Sequence, residues 1–165
     1  MSASFTETLI QKWRNVSPKS SAAISVFLRR FTRNLPAHNI LQETHEAVFN
    51  QFDCLQCANC CKNSSPVFNK TDIRRIAPVI GLSESRMETE FLTADLEGDF
   101  IPKTKPCPFL EADNRCSIYE LRPKSCRGFP HTDNPAFWNR HARMAGNAKA
   151  CPAALEIVEK FMRKA

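Results

Sequence analysis

FDCLQCANCCKN, residues 52–63, places four cysteines in eight positions: Cys54, Cys57, Cys60 and Cys61. Four more follow singly, Cys107, Cys116, Cys126 and Cys151. The N-terminal stretch MSASFTETLIQKWRN lacks a basic start followed by a continuous apolar core. No secretory leader is therefore expected, and the compartment is read as reducing and cytoplasmic. Disulfides do not persist in such a compartment, and eight uncommitted thiols would be an oxidation liability. The economical reading is that they are held as thiolates by metal.

Spacing supports that reading. If 54–61 were one helix, the four cysteines would sit near 0°, 300°, 240° and 340°, within about a third of the circumference. In a loop, C-x2-C still lets two sulfurs converge on one ion. Cys60 and Cys61, as neighbours, are expected to aim at different points and to serve two adjacent centres. The doubled C-x2-C spacing matches the start of a ferredoxin run, where a remote Cys-Pro supplies the fourth ligand. Cys107-Pro108 and Cys151-Pro152 are the Cys-Pro pairs here, but the ferredoxin spacing to a fourth cysteine is missing. Thiolate-only ligation suits an iron–sulfur cluster or Zn2+, and eight cysteines allow one or two sites. The doubled spacing tips the choice toward iron–sulfur.

Composition sets outer bounds. The 165 residues are 42% hydrophobic and 24% charged, as in a globular domain. No apolar run reaches the roughly 20 residues of a membrane-spanning helix. The net charge of +6 is spread along the chain and interrupted by acids from residue 43 onward, which argues against a nucleic-acid surface. Thiolates themselves carry negative charge that basic residues can balance. No acid lies between Glu7 and Glu43, a bias shared with transit peptides. The apolar residues there keep helical spacing, which favours an ordinary helical segment with a basic face.

The expected fold is mainly α with a small β-hairpin: a compact, metal-stabilised cysteine-cluster domain over 51–165, preceded by N-terminal helices over 1–50. Phe5, Leu9, Ile10 and Trp13 make one helical face, ended by Pro18. Ile24, Phe27, Leu28, Phe31 and Leu35 make a second, closed by Pro36. Ile40, Leu41, Val48, Phe49 and Phe52 make a third that runs into the cysteines. These stripes are read as packing surface, with docking of a protein partner as the other use. Thr71 is the expected cap of a short helix ended by Gly81, and Ser83–Leu92 is another, with Met87 and Phe91 inward. Residues 93–106 read as irregular. CPFLEADNRCSIY, residues 107–119, reads as the hairpin, with Leu110 opposite Arg115 and Cys107 and Cys116 on one face. Helices are expected over Pro135–Met144 and from Pro152, with Leu155, Val158 and Met162 inward.

The order F-x-C54-x2-C57-x2-C60-C61, then C107-P-F-L, then C116-S-I-Y-E-L-R-P-K-S-C126-R-G-F-P resembles the YkgJ-type cysteine-cluster family, a zinc- or iron-chelating domain. The match spans roughly residues 50–152 and leaves the first fifty residues outside. It implies that Cys54, Cys57, Cys60, Cys61, Cys107, Cys116 and Cys126 are metal ligands, with Cys151 the eighth. Asn59 stands where the family often has Gly, and Asn tolerates a left-handed backbone. A similar cluster occurs in the longer flagellin lysine-N-methylases, but no Gly-rich loop here locates a cofactor.

Other residues leave choices open. Arg122 and Arg127 flank Cys126 and either balance thiolate charge or form an Arg–Glu pair with Glu120. His131 is read as a loop residue before a ligand, His38, His45 and His141 as solvated, and Tyr119 as core. No Ser–His–Asp or H-E-x-x-H signature is present, so no catalytic residue is assigned. Three functions stay in play. One is a metal-binding protein for metal handling, sensing or electron transfer. Another is a metal-dependent enzyme or maturation factor acting on a protein substrate. The third is a structural zinc module that binds a partner or nucleic acid.

Overall fold

A computed structural model describes residues 3–31, 33, 36 and 38–164. Leu35 of the second stripe lies outside them. The chain enters α1 (Phe5–Phe31) through a capping box that sequence reading missed. The Glu7 amide donates to Ser4 Oγ (3.2 Å), and the Ser4 amide donates to the Glu7 carboxylate (2.7 Å). α2 (His38–Phe49) buries Leu41 and Val48 but leaves Ile40 exposed. Two one-turn helices follow, α3 (Cys54–Cys57) and α4 (Asn59–Asn63).

α5 (Lys70–Ile76) starts two residues earlier than expected. Its cap is Asn69 and not Thr71: Asn69 Oδ1 accepts from the Asp72 amide (2.8 Å), and the Asp72 carboxylate accepts from the Asn69 amide (3.4 Å). A 3-10 turn, Ala77–Ile80, accommodates Pro78 and ends at Gly81, whose φ of 73° is the left-handed stop expected of it. α6 (Glu84–Phe91) is capped by Ser83 and buries Met87.

Residues expected to be irregular form the hairpin of the described chain. β1 (Leu92–Ala94) pairs antiparallel with β2 (Phe100–Pro102), with Thr93 opposite Ile101. Asp95 Oδ1 closes the turn by accepting from the amides of Glu97 (2.9 Å) and Asp99 (3.0 Å), and Gly98 supplies φ 82°. The expected hairpin at 107–119 reduces to one bridge, and its register differs by one. Leu110 faces Cys116, because the Glu111 amide bonds the Arg115 carbonyl around a three-residue turn ending in Asn114 at φ 66°. A further 3-10 turn, Tyr119–Leu121, leads to α7 (Lys124–Arg127).

The predicted helix over Pro135–Met144 is two: α8 (Pro135–Trp138), capped by Asn134, and α9 (His141–Ala150). α10 (Pro152–Met162) opens on Pro152 as expected and buries Leu155, Val158 and Phe161, leaving Met162 half-buried.

The chain divides into two compact units, Met1–Cys57 with Pro130–Ala165, and Ala58–Phe129. In the first, α1 packs on α9 and α10, and α2 on α10. Phe31, Trp138 and Phe161 form a ring triad with centroids 5.2–5.4 Å apart. This packing explains why Pro18 does not end α1. A mid-helix proline costs about 3 kcal/mol. Leu9, Ile24 and Leu28, all buried along the same helix, each return about 1.5–3 kcal/mol. In the second unit the core is Phe68, Ile73, Ile76, Ala77, Met87, Leu92, Phe109 and Ile118. Cys107, Cys116 and Leu121 pack against it. No described helix is long and apolar enough to cross a membrane.

Candidate metal centre

Asp53 positions the first two cysteines. Its Oδ1 accepts from the Leu55 amide (2.9 Å) at the start of α3, and its own amide donates to Thr6 Oγ1 (2.9 Å). Asp immediately before C-x2-C is an N-cap signature visible in the sequence itself. Cys54 is exposed and Cys57 half-buried. The segment 54–61 is not one helix. Ala58 sits at φ 48°, ψ 18° and interrupts it, so the left-handed residue is Ala58 and not Asn59, which is helical.

α4 then presents Cys60 and Cys61 with their sulfurs 3.9 Å apart. The two sulfurs thus lie side by side rather than splayed apart. Two thiolates on one tetrahedral zinc, each at about 2.3 Å, lie about 3.8 Å apart. A hydrogen bond from the Cys60 thiol pulls the Cys61 thiol down to about 7, against burial, with help from the charges of Arg122 and Lys62.

The other cysteines of this unit gather around Cys61. The Cys107 amide donates to the Cys61 carbonyl (2.9 Å). Burial pushes the Cys107 thiol up to about 11, and the charges of Cys61 and Cys116 add to it. Cys116 is raised chiefly by burial, with Cys61 again contributing. Cys126, on α7, is pushed up to about 12 by burial, then by Cys61, Cys107 and Cys116. The Ser125 hydroxyl anchors α7 by donating to the Val67 carbonyl (2.8 Å). Arg122 Nε donates to the Tyr119 carbonyl (2.8 Å), and the guanidinium stacks 3.5 Å over the Tyr119 ring. Its charge acts on Cys61 and Cys116, which favours charge balance over the Arg–Glu pair. Tyr119 is exposed, not core.

Cys151 belongs to the other unit. It lies buried between α9 and α10, its thiol pushed up to about 12 by burial. The amides of Ala153 and Ala154 oppose that shift, and Cys54 and Cys57 reinforce it. The eight thiols thus fall into two sets, Cys54, Cys57 and Cys151 in one unit and Cys60, Cys61, Cys107, Cys116 and Cys126 in the other. Among the described residues, no three Cys, His, Asp or Glu side chains are closed onto one point as a finished metal site. The donor chemistry nonetheless suits zinc or iron, since every gathered group is a sulfur.

His131 adopts φ 62° and stacks on Phe137 (4.2 Å), with burial lowering its proton affinity. His45 is not simply solvated, because its Nδ1 shares a 2.8 Å hydrogen bond with the buried Thr132 hydroxyl, and burial lowers its proton affinity too. His38 is exposed, and His141 is half-buried.

No curated protein and no solved structure gives a significant match to this chain. One family model does, over residues 53–152, from Asp53 to the Pro152 that follows Cys151. Its description is "putative zinc- or iron-chelating domain". The matched stretch contains all eight cysteines and exceeds half of the chain, and the chain belongs to this CxxCxxCC metal-chelating family.

Proposed function

We propose that the eight cysteine thiolates hold metal at two places. One would use Cys54, Cys57 and Cys151, the other Cys60, Cys61, Cys107, Cys116 and Cys126. The observation that carries this reading is the 3.9 Å approach of the Cys60 and Cys61 sulfurs beside a backbone bond that ties Cys107 to Cys61. Iron–sulfur remains the preferred cofactor. The doubled C-x2-C spacing supports it, as does the Cys-Pro pair at Cys151, whose thiol feels Cys54 and Cys57. The role is metal handling, sensing or electron transfer in a reducing cytoplasm. The helices of residues 1–50 would serve as a docking surface for a protein partner of the cysteine domain, 51–165.

A bound cluster would supply an electron-accepting centre; zinc would supply a Lewis acid or a rigid crosslink. This chain's own contribution is to gather the thiols, to place Arg122 and Lys62 where they offset thiolate charge, and to shelter Cys126 and Cys151 from solvent. A second reading, an enzyme or maturation factor acting on a protein substrate, draws on the smaller set. Three thiolates fill three of four tetrahedral positions and leave room for a further ligand.

Anaerobic purification followed by iron, zinc and acid-labile sulfide analysis tests the proposal. Brown protein with iron and sulfide is the expected result, and Cys61→Ser should lose metal that Cys151→Ser retains at the larger set. Two zinc ions per colourless chain would transfer the assignment to a structural zinc module. Full-length protein without metal under these conditions would end the reading.

A further inference from the structure

The family match begins at Asp53, and α1 ends well before it. Yet α1 holds the backbone on both approaches to the smaller set of thiols. Thr6, only 2% exposed, is bonded twice. Its hydroxyl donates to the Gln51 carbonyl (3.3 Å) and accepts from the Asp53 amide (2.9 Å), and Cys54 follows at once. Further along the helix, Trp13 donates its indole N–H to the carbonyls of Ala148 and Lys149 (3.3 and 3.1 Å), at the end of α9 and just before Cys151. Its neighbour Lys12 pairs with Glu156 and Glu159 of α10 (2.5 and 2.6 Å), just after Cys151.

Thr6 and Trp13 stand about two helical turns apart on one face, about 10 Å of rise. Leu9, between them, is buried on the same side. One rigid face therefore spaces Asp53 from Lys149, and with them Cys54 and Cys57 from Cys151. α3 cannot set that spacing itself. It is a single turn that buries no residue, and so short a helix has no packed face to hold it.

We propose that α1 is the positioning element of the three-thiol site, with Thr6 and Trp13 its positioning residues. This rests on the reading that Cys54, Cys57 and Cys151 share a metal. Metal–sulfur distances tolerate little error, and the groups that orient ligands govern affinity nearly as much as the ligands do. Loss of either anchor frees one arm of the set. The five thiols of the other unit keep their own supports and their metal. The N-terminal helix thereby has a task inside the metal-binding domain, through residues that the family match does not include.

The test is alkylation of the full, anaerobically purified chain by iodoacetamide, read cysteine by cysteine by mass spectrometry. Cys54 is exposed and Cys57 half-buried, so slow alkylation at both reports bound metal and not burial. In the parent, a chelator should speed both. Thr6→Val keeps the side chain's shape and removes its hydroxyl, and should speed both about tenfold without chelator. Trp13→Phe keeps an aromatic ring, removes the N–H and should act in the same direction. Neither should change the rates at Cys60, Cys61, Cys107, Cys116 and Cys126. Cys151→Ser should match Thr6→Val. Thr6→Ser should restore the parent's rates. Ile24→Val, in the buried face of the same helix, should lower the melting temperature and leave the rates alone. Protection that persists in both Thr6→Val and Trp13→Phe, or that Ile24→Val removes equally, overturns the positioning alone. No protection in the parent overturns the three-thiol site and its positioning together.

Discussion

The two units of this chain bury their cysteines in different company. In the first, Cys54 and Cys57 ride on the one-turn α3, but Cys151 sits at the joint of α9 and α10, within a framework whose longest helix has 27 residues. In the second, the elements that carry cysteines are turns or single turns of helix, and α4 and α7 bury no residue of their own. Long amphipathic helices hold themselves together through their apolar faces. Segments of four or five residues cannot, and small cores commonly need a metal or another crosslink. The contrast teaches that Cys151 is held by packed helices, whereas 58–63 and 122–129 are held by isolated bonds, from the Cys107 amide to the Cys61 carbonyl and from the Ser125 hydroxyl to the Val67 carbonyl, and by their thiols.

The sharpest way to break that contrast is metal removal. Chelator treatment should abolish slow amide hydrogen exchange over 58–129 and leave protection in α1, α9 and α10 largely intact, read by mass spectrometry. Equal loss in both units would show that the first depends on metal as much as the second.

Next in size is Leu28→Ala. Leu28 is fully buried on α1, and the change should cost about 2–5 kcal/mol in denaturant unfolding without lowering the metal held by Cys60, Cys61, Cys107, Cys116 and Cys126. If that metal falls with stability, the units are not energetically separable.

A pH titration probes the first unit more gently. His45 and His131 both have lowered proton affinity in the fold, so the unfolded chain takes up protons first. Their contribution to stability is full above about 6.5 and is lost as pH falls below it. The melting temperature should therefore drop between about pH 6.5 and 5, and His45→Gln should flatten that drop. A profile unchanged by the substitution would discard the His45–Thr132 bond as a source of stability.

The smallest effect concerns the junction. Ala58 pays for a left-handed backbone, and Ala58→Gly should raise unfolding free energy by up to about 1 kcal/mol, seen as a higher denaturant midpoint. A clear decrease would mean that the buried Ala58 methyl contributes more than the strain takes away.

What could be read from the residues follows from range. The stripes of α1 and α10, the stop at Gly81, the cap at Ser83 and the inward Met87 are decided within one or two turns. Pro18 misled because the helix around it is held by α9 and α10, more than a hundred residues away. The hairpin misled because a three-residue turn ending in left-handed Asn114 shifts the register by one relative to a four-residue turn. Tyr119 looked like core by type, yet its ring serves as the platform for Arg122. The eight cysteines were legible as a class from their spacing. Their division into sets of three and five was not, because it turns on a single backbone angle at Ala58 and on where Cys107, Cys116, Cys126 and Cys151 arrive from afar.

Both tryptophans of the chain, Trp13 and Trp138, belong to the first unit. Trp13 donates its indole N–H to the carbonyls of Ala148 and Lys149 (3.3 and 3.1 Å), at the end of α9 just before Cys151. The chain's one tyrosine, Tyr119, belongs to the second. Ultraviolet emission excited at the red edge therefore reports on the helical framework alone, and the native protein carries its own two-colour fluorescent label.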